Sequence, residues 1–169
     1  MLQYSNFKIF IVLVFILIGI NSCTEKKNTH VDIYGISFDC PAGWKVKETQ
    51  DYGAVKYVCI NGATSNALLT MSFSDSDFEL EEYLEIFKES FMENGFKNMV
   101  FKQTVEGDYG KYKGIVSSYT FNVIDIEHEG QIYVFKENGI IMCLLKQEAT
   151  EDHKKNLSGF EIIMNSLTL

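Results

Sequence analysis

Six consecutive apolar residues, Ile140-Ile-Met-Cys-Leu-Leu145, constrain this chain more than any other feature. The run is far too short for a membrane-spanning helix, which needs about 20 residues, and Asn138-Gly139 just before it is a hairpin signal. Successive strand residues point to opposite sides. As a strand, the run therefore shows apolar side chains on both faces, and both must be covered. A sheet with one face in water is excluded. The rest of the chain has to supply two covering layers.

Shorter alternating runs supply the neighbouring strands. Residues 34–40 alternate apolar and polar positions, as a half-buried strand does. Pro41-Ala-Gly-Trp44 then turns the chain, and Trp44 and Val46 open a second strand that ends at Asp51-Tyr-Gly53. Residues 54–60 and 67–73 read as a further pair joined across the loop 61–66. Residues 98–104 and a long run over 112–126 follow, with Tyr119, Phe121 and Val123 on one face; Gly130 is read as a turn into 131–135. Short connections make these neighbours antiparallel.

Two helices stand out. Over 77–93, Leu80, Leu84, Phe87 and Phe91 fall at the spacing of one buried face. Ser76 and Glu79 form a capping box before it and Gly95 closes it. Over 151–167, Leu157, Phe160, Ile163, Met164 and Leu167 are the inward positions, Thr150 is the cap, and Gly159 weakens or bends the middle. A doubly covered antiparallel sheet with one helix inserted between hairpins and one at the end is an α+β sandwich.

The opening Tyr34-x-Ile36-x-Phe38-x-Cys40-Pro41-x-Gly43-Trp44-x-Val46 resembles the start of PsbP-like and DcrB-like proteins. The closing Phe160-Glu-Ile-Ile163-x-x-Ser166-Leu167 is similar to the end of the same domains. The resemblance implies a three-layer α/β/α sandwich around a mainly antiparallel sheet, in a superfamily shared with a Ran-binding nuclear import factor. It further implies an accessory or binding protein without chemistry, and it carries over no binding residue.

The N-terminus reads as an address. Lys8 precedes an apolar run over 9–20; twelve residues as a helix span only about 18 Å, the layout of a secretory signal. Ile20-Asn21-Ser22-Cys23 resembles the lipobox of bacterial lipoproteins. That implies removal of residues 1–22 and acylation of Cys23, with 23–31 as lipidated residue and tether and 32–169 as the folded domain. By resemblance to the sorting rule of enteric bacteria, Thr24 in place of Asp favours the outer membrane. Two or three acyl chains hold a protein at a bilayer where one would let go.

Charge narrows the partners. Without Lys8 the balance is 14 Lys against 23 acids, a net −9, opposite to what nucleic acid demands. All the basic residues are Lys, so no guanidinium fork is present for bidentate phosphate binding. From Asp75 to Glu93 eight acids accompany only Lys88, and Glu81, Glu85 and Glu89 recur at i, i+4, where like charges repel. Such a face fits a basic envelope protein, or simple solvation.

No chemistry announces itself. His30 lies in the expected tether, His128 in an acidic turn and His153 at the start of the last helix. No nucleophile elbow or phosphate loop accompanies them. Asp75-Ser-Asp77-Phe-Glu79 begins like a calcium loop but lacks its Gly and its bidentate Glu. The expectation is no enzyme, no cofactor and no metal. Cys40 and Cys59 are the candidates for a disulfide, and buried free thiols are the alternative for them and for Cys143. Tyr52, Tyr109 and Tyr112 fall in turns, either as pocket lining for a small apolar ligand between sheet and helix or as rings over a sheet edge.

Overall fold

The structure, a computed structural model, describes residues 27–64, 66–93 and 98–169. Strands β1 (Thr29–Ile33) and β2 (Ile36–Cys40) form a separate hairpin. The main sheet follows the order β3 (Lys45–Asp51), β4 (Val55–Asn61), β5 (Leu68–Asp75), β10 (Ile140–Ala149), β9 (Ile126–Glu137) and β8 (Tyr112–Val123). On its far edge β8 pairs with both β6 (Val100–Phe101) and β7 (Val105–Tyr109). Every pairing is antiparallel. Helix α1 (Leu80–Glu93) leaves from β5, and α2 (His153–Ser166) follows β10 through a 3₁₀ turn at Thr150–Asp152.

Strand β10 is the central strand its composition demanded. Its odd positions Ile141, Cys143 and Leu145 join Tyr83, Leu84, Ile132 and Val134 in the core beneath α1. Its even positions Met142 and Leu144 join Phe38, Met71, Phe135, Phe160 and Ile163 beneath α2. Burying each such side chain contributes roughly 1.5–3 kcal/mol. The result is a three-layer α+β sandwich. The β1–β2 hairpin shares the α2 layer, because Ile36 and Phe38 belong to that core.

Motif residues earn their places by contact. Trp44 lies against α2 at Gly159, where an added Cβ would stand 2.3 Å from the indole Cζ2, and meets Phe160 edge-on at 4.9 Å. Gly159 is therefore a packing position rather than a defect of the helix. Ser166 Oγ donates to the Ile162 carbonyl at 2.7 Å and accepts the Asp39 N–H at 2.8 Å. Thr168 and Ser37 exchange backbone hydrogen bonds at 2.8 and 3.0 Å.

Several sequence expectations are corrected. Gly130 is not in a turn: β9 runs through it, opposite Tyr119. The Tyr119 ring lies over it, 2.3 Å from where a Cβ would stand. The turn is instead at Ile124-Asp125, both at positive φ. Helix α1 starts at Leu80, with the Tyr83 N–H donating to Glu79 O at 3.0 Å. Ser76 therefore does not cap it, and its Oγ is shielded without a hydrogen-bond partner. The Gly95 closure lies outside the described residues. His30 belongs to β1, not to a tether, and its Nδ1 is 2.9 Å from Asp39 Oδ1.

Candidate functional site

The two-residue turn Asn138-Gly139, with φ of 50° and 83°, fixes the β9–β10 register. From Ile140 opposite Glu137, the ladder runs down to Glu148 opposite Glu129. Two carboxylates thus face each other directly, a pairing that destabilises a sheet unless something intervenes. His153 intervenes. The 3₁₀ turn reverses the chain after β10 and brings the first residue of α2 back over the strand ends. His153 Nδ1 is 2.9 Å from Glu148 Oε1 and 3.3 Å from Glu129 Oε1.

Burial divides the cluster. The Glu148 side chain is 1% exposed, whereas Glu129 and His153 are 42% and 44% exposed. Glu148 Oε2 is buried with no hydrogen-bond partner. The Lys146 ammonium stands 3.7 Å from Glu148 Oε1, beyond hydrogen-bond reach, and 4.6 Å from the centre of the Phe160 ring. A cavity of about 260 Å³ opens here, lined by all four residues with Lys102, Tyr119 and Gln131.

A second cleft, about 290 Å³, continues between α2 and the sheet, sharing Gln131, Lys146 and His153 and extending to Tyr109, Tyr133 and Leu157. Tyr133 donates to Gln131 Oε1 at 3.0 Å. The Tyr109 hydroxyl is buried without a partner, and burial pushes its phenol well above the usual range.

Other expected site residues are dispersed. Glu81, Glu85 and Glu89 are exposed along α1. Glu85 accepts from Lys88 Nζ at 2.8 Å, and Lys88 also donates to Thr104 Oγ1 at 3.1 Å. Cys23 lies outside the described residues. Cys40, Cys59 and Cys143 are buried free thiols. No bond joins Cys40 to Cys59: Cys40 is in the core beneath α2, while Cys59 alternates with Val58 and Ile60 of that core and points to the opposite face. His128 is in β9 rather than a turn, its ring 5.0 Å from Phe121. Tyr109 and Tyr112 are core residues, Tyr112 stacking on Phe135 at 4.6 Å, while Tyr52 alone of the three is exposed. Asp75, Asp77 and Glu79 precede α1 and do not form its first turn.

Burial raises the Cys143 thiol far above its ordinary pKa, so it offers no thiolate nucleophile near neutral pH. His153 is bonded to carboxylates, the set that binds or neutralises positive charge. Among the described residues, Glu129, Glu148 and His153 are also the group able to hold a metal ion, with one ligand atom from each within 4.8 Å of the others. Sequence reading missed it because the three are separated along the chain. The hairpin arithmetic would have found the two carboxylates.

No family model matches the chain, and no curated protein matches it. Among solved structures it is similar to cyanobacterial PsbP (CyanoP) from Synechocystis sp. PCC 6803, with a TM-score of 0.61 and 15% identity over 89% of this chain and 99% of that one. It is also similar to LpqN of Mycobacterium tuberculosis, a protein involved in cell envelope biogenesis, with a TM-score of 0.55 and 10% identity over 83% and 89% of the two chains. A third similar structure, from Bacteroides thetaiotaomicron, has a TM-score of 0.51 and 12% identity, covering 86% of this chain and 48% of that one. At such identities the likeness is one of fold, and the fold is PsbP-like.

Proposed function

We propose that this chain is a lipid-anchored, non-catalytic accessory module of the bacterial cell envelope, held at a membrane by acyl chains on Cys23 and acting through contact with a basic protein partner. The observation that carries this reading is Ile20-Asn21-Ser22-Cys23 directly behind the apolar run. Only residues 24–28 separate that cysteine from β1, a reach of about 20 Å at most. The module would therefore work close to the bilayer. The part that LpqN plays in the envelope of its own organism supports the location, and Thr24 favours the outer membrane. The exposed acids Glu81, Glu85 and Glu89 supply the partner-facing charge.

Metabolic labelling with palmitate tests the anchor. The native chain takes up label and the Cys23→Ser variant does not; equal absence of label in both overturns the reading. Partner capture from solubilised envelope that is lost at high salt and with the triple change Glu81/Glu85/Glu89→Gln tests the contact. Capture indifferent to both removes the acidic face from the proposal.

The cleft beneath α2 favours a second reading, carriage of a small apolar ligand, because Leu69, Leu157, Phe160 and Met164 line it. Organic extraction of the purified chain followed by mass spectrometry tests it. A stoichiometric small molecule supports carriage, and a clean extract opposes it.

A further inference from the structure

We propose that Glu129, Glu148 and His153 form a divalent-metal site that takes Zn²⁺. Three independent features converge on this assignment. The first is a half-satisfied buried acid: Glu148 lines the cavity, is 1% exposed, and has one oxygen, Oε2, with no hydrogen-bond partner. A buried carboxylate is costly unless its oxygens are bonded or it binds a metal. The second is spacing. A tetrahedral zinc with bonds of about 2.0–2.1 Å holds its ligand atoms roughly 3.3–3.4 Å apart. His153 Nδ1 lies 2.9 and 3.3 Å from the two carboxylate oxygens, and all three ligand atoms lie within 4.8 Å of one another, with the partly exposed His153 and Glu129 side chains free to adjust. The third is the direct opposition of two acids across the β9–β10 ladder, which a shared dication converts from repulsion to attraction.

Donor type selects the ion. One imidazole with two carboxylates is a mixed set that suits zinc; calcium and magnesium favour oxygen ligands throughout. Three protein ligands beside an open cavity leave the fourth position to a water or a partner's side chain. Lys146 is the competing cation. Its ammonium stays 3.7 Å from Glu148 Oε1, close to the Phe160 ring, so it offsets one negative charge without bonding either oxygen. With His153 neutral, two carboxylates and one ammonium leave a net −1. Lys102 also lines the cavity, and its ammonium, not counted in that balance, opposes a dication there.

The test uses the full acylated chain in detergent micelles, so that the Cys23 sulfur is a thioether, with ZnCl₂ alone in equilibrium dialysis. One Zn²⁺ per chain is expected. His153→Asn and Glu129→Gln each weaken binding by at least about tenfold. Both residues are exposed enough for the variants to fold, which thermal melting without zinc verifies. His30→Asn, on the β1–β2 hairpin, leaves binding unchanged. Absence of saturable binding overturns the site, as does binding that both variants retain. Displacement of zinc by equimolar calcium or magnesium overturns the choice of ion. Because palmitate uptake is a separate measurement, failure of the metal site and failure of the anchor are distinguishable.

Discussion

The two faces of the central sheet solve the same burial problem with different materials. Beneath α1 the core is a set of aliphatic and aromatic side chains, and the helix turns its acids outward to solvent. Beneath α2 the core is larger and more aromatic, yet at one end it admits two carboxyl groups, Glu148 and Asp152, with the amide of Asn156 buried beside them. Asp152 bonds Lys155 at 2.8 Å, and Asn156 donates to the Asp152 carbonyl at 3.2 Å. The α1 face also buries polar groups, Ser72, Ser74, Ser117 and His128, but no carboxylate among the described residues.

The comparison breaks most sharply at its aromatic centre. Phe135 stacks on Tyr109 and Tyr112 in the core beneath α2, and Phe135→Ala should cost about 3–5 kcal/mol; Leu84→Ala on the other face should cost about 2–5 kcal/mol. Urea midpoints measure both, and a larger loss for Leu84 would reverse the assignment of the heavier core. Next comes Gly159→Ala. Helix propensity alone favours it by about 1 kcal/mol, but the new methyl meets the Trp44 indole, so a net loss of about 1–3 kcal/mol is expected. A more stable variant would show that the Trp44 contact yields.

pH sharpens the contrast between desolvated groups and ion-paired ones. Burial raises the folded pKa values of Cys40, Cys59, Cys143, Tyr109 and Tyr119. Their contribution is present below the unfolded values and is lost as rising pH ionises the unfolded chain, so stability should fall above about pH 9. The carboxyls of Asp51 and Asp152 move the other way, held low chiefly by the Gly53 N–H and by Lys155 respectively. Their contribution is present above about pH 4 and is lost as pH falls through the lowered values. Thermal melts across pH 3–11 measure both limbs. The smallest effect belongs to the open helix face. Glu81/Glu85/Glu89→Gln should shift stability by no more than about 0.5 kcal/mol, since relieved repulsion offsets the lost Glu85–Lys88 pair. A loss of several kcal/mol would make that face structural.

The sheet and both helices were legible because period and turn chemistry agree along most of the chain. Ile140–Leu145 announced its two covered faces, and Asn138-Gly139 announced the hairpin beside it. Thr29–Ile33 did not announce itself. It is a polar, largely exposed strand whose place depends on pairing with β2. Gly130 misled because a glycine reads as a turn until the partner ring that needs its missing Cβ is known. Tyr109 and Tyr112 misled for the related reason that a residue beside a turn can still point into the core. The Glu129–Glu148–His153 cluster matches no motif, because a hairpin register and a chain reversal assemble it. The opposition of the acids follows from the turn alone; the approach of His153 required the helix to be placed.

One attachment has a mechanical consequence. The first hairpin belongs to its own two-stranded ladder, and its backbone is tied to the far end of the chain through Ser37–Thr168 and Asp39–Ser166. A tug arriving along residues 24–28 would enter at β1 and pass to the last turn of α2 before reaching the eight-stranded sheet. Peeling that hairpin away would also uncover Ile36 and Phe38 in the α2 core, so load entering there meets buried side chains as well as the ladder.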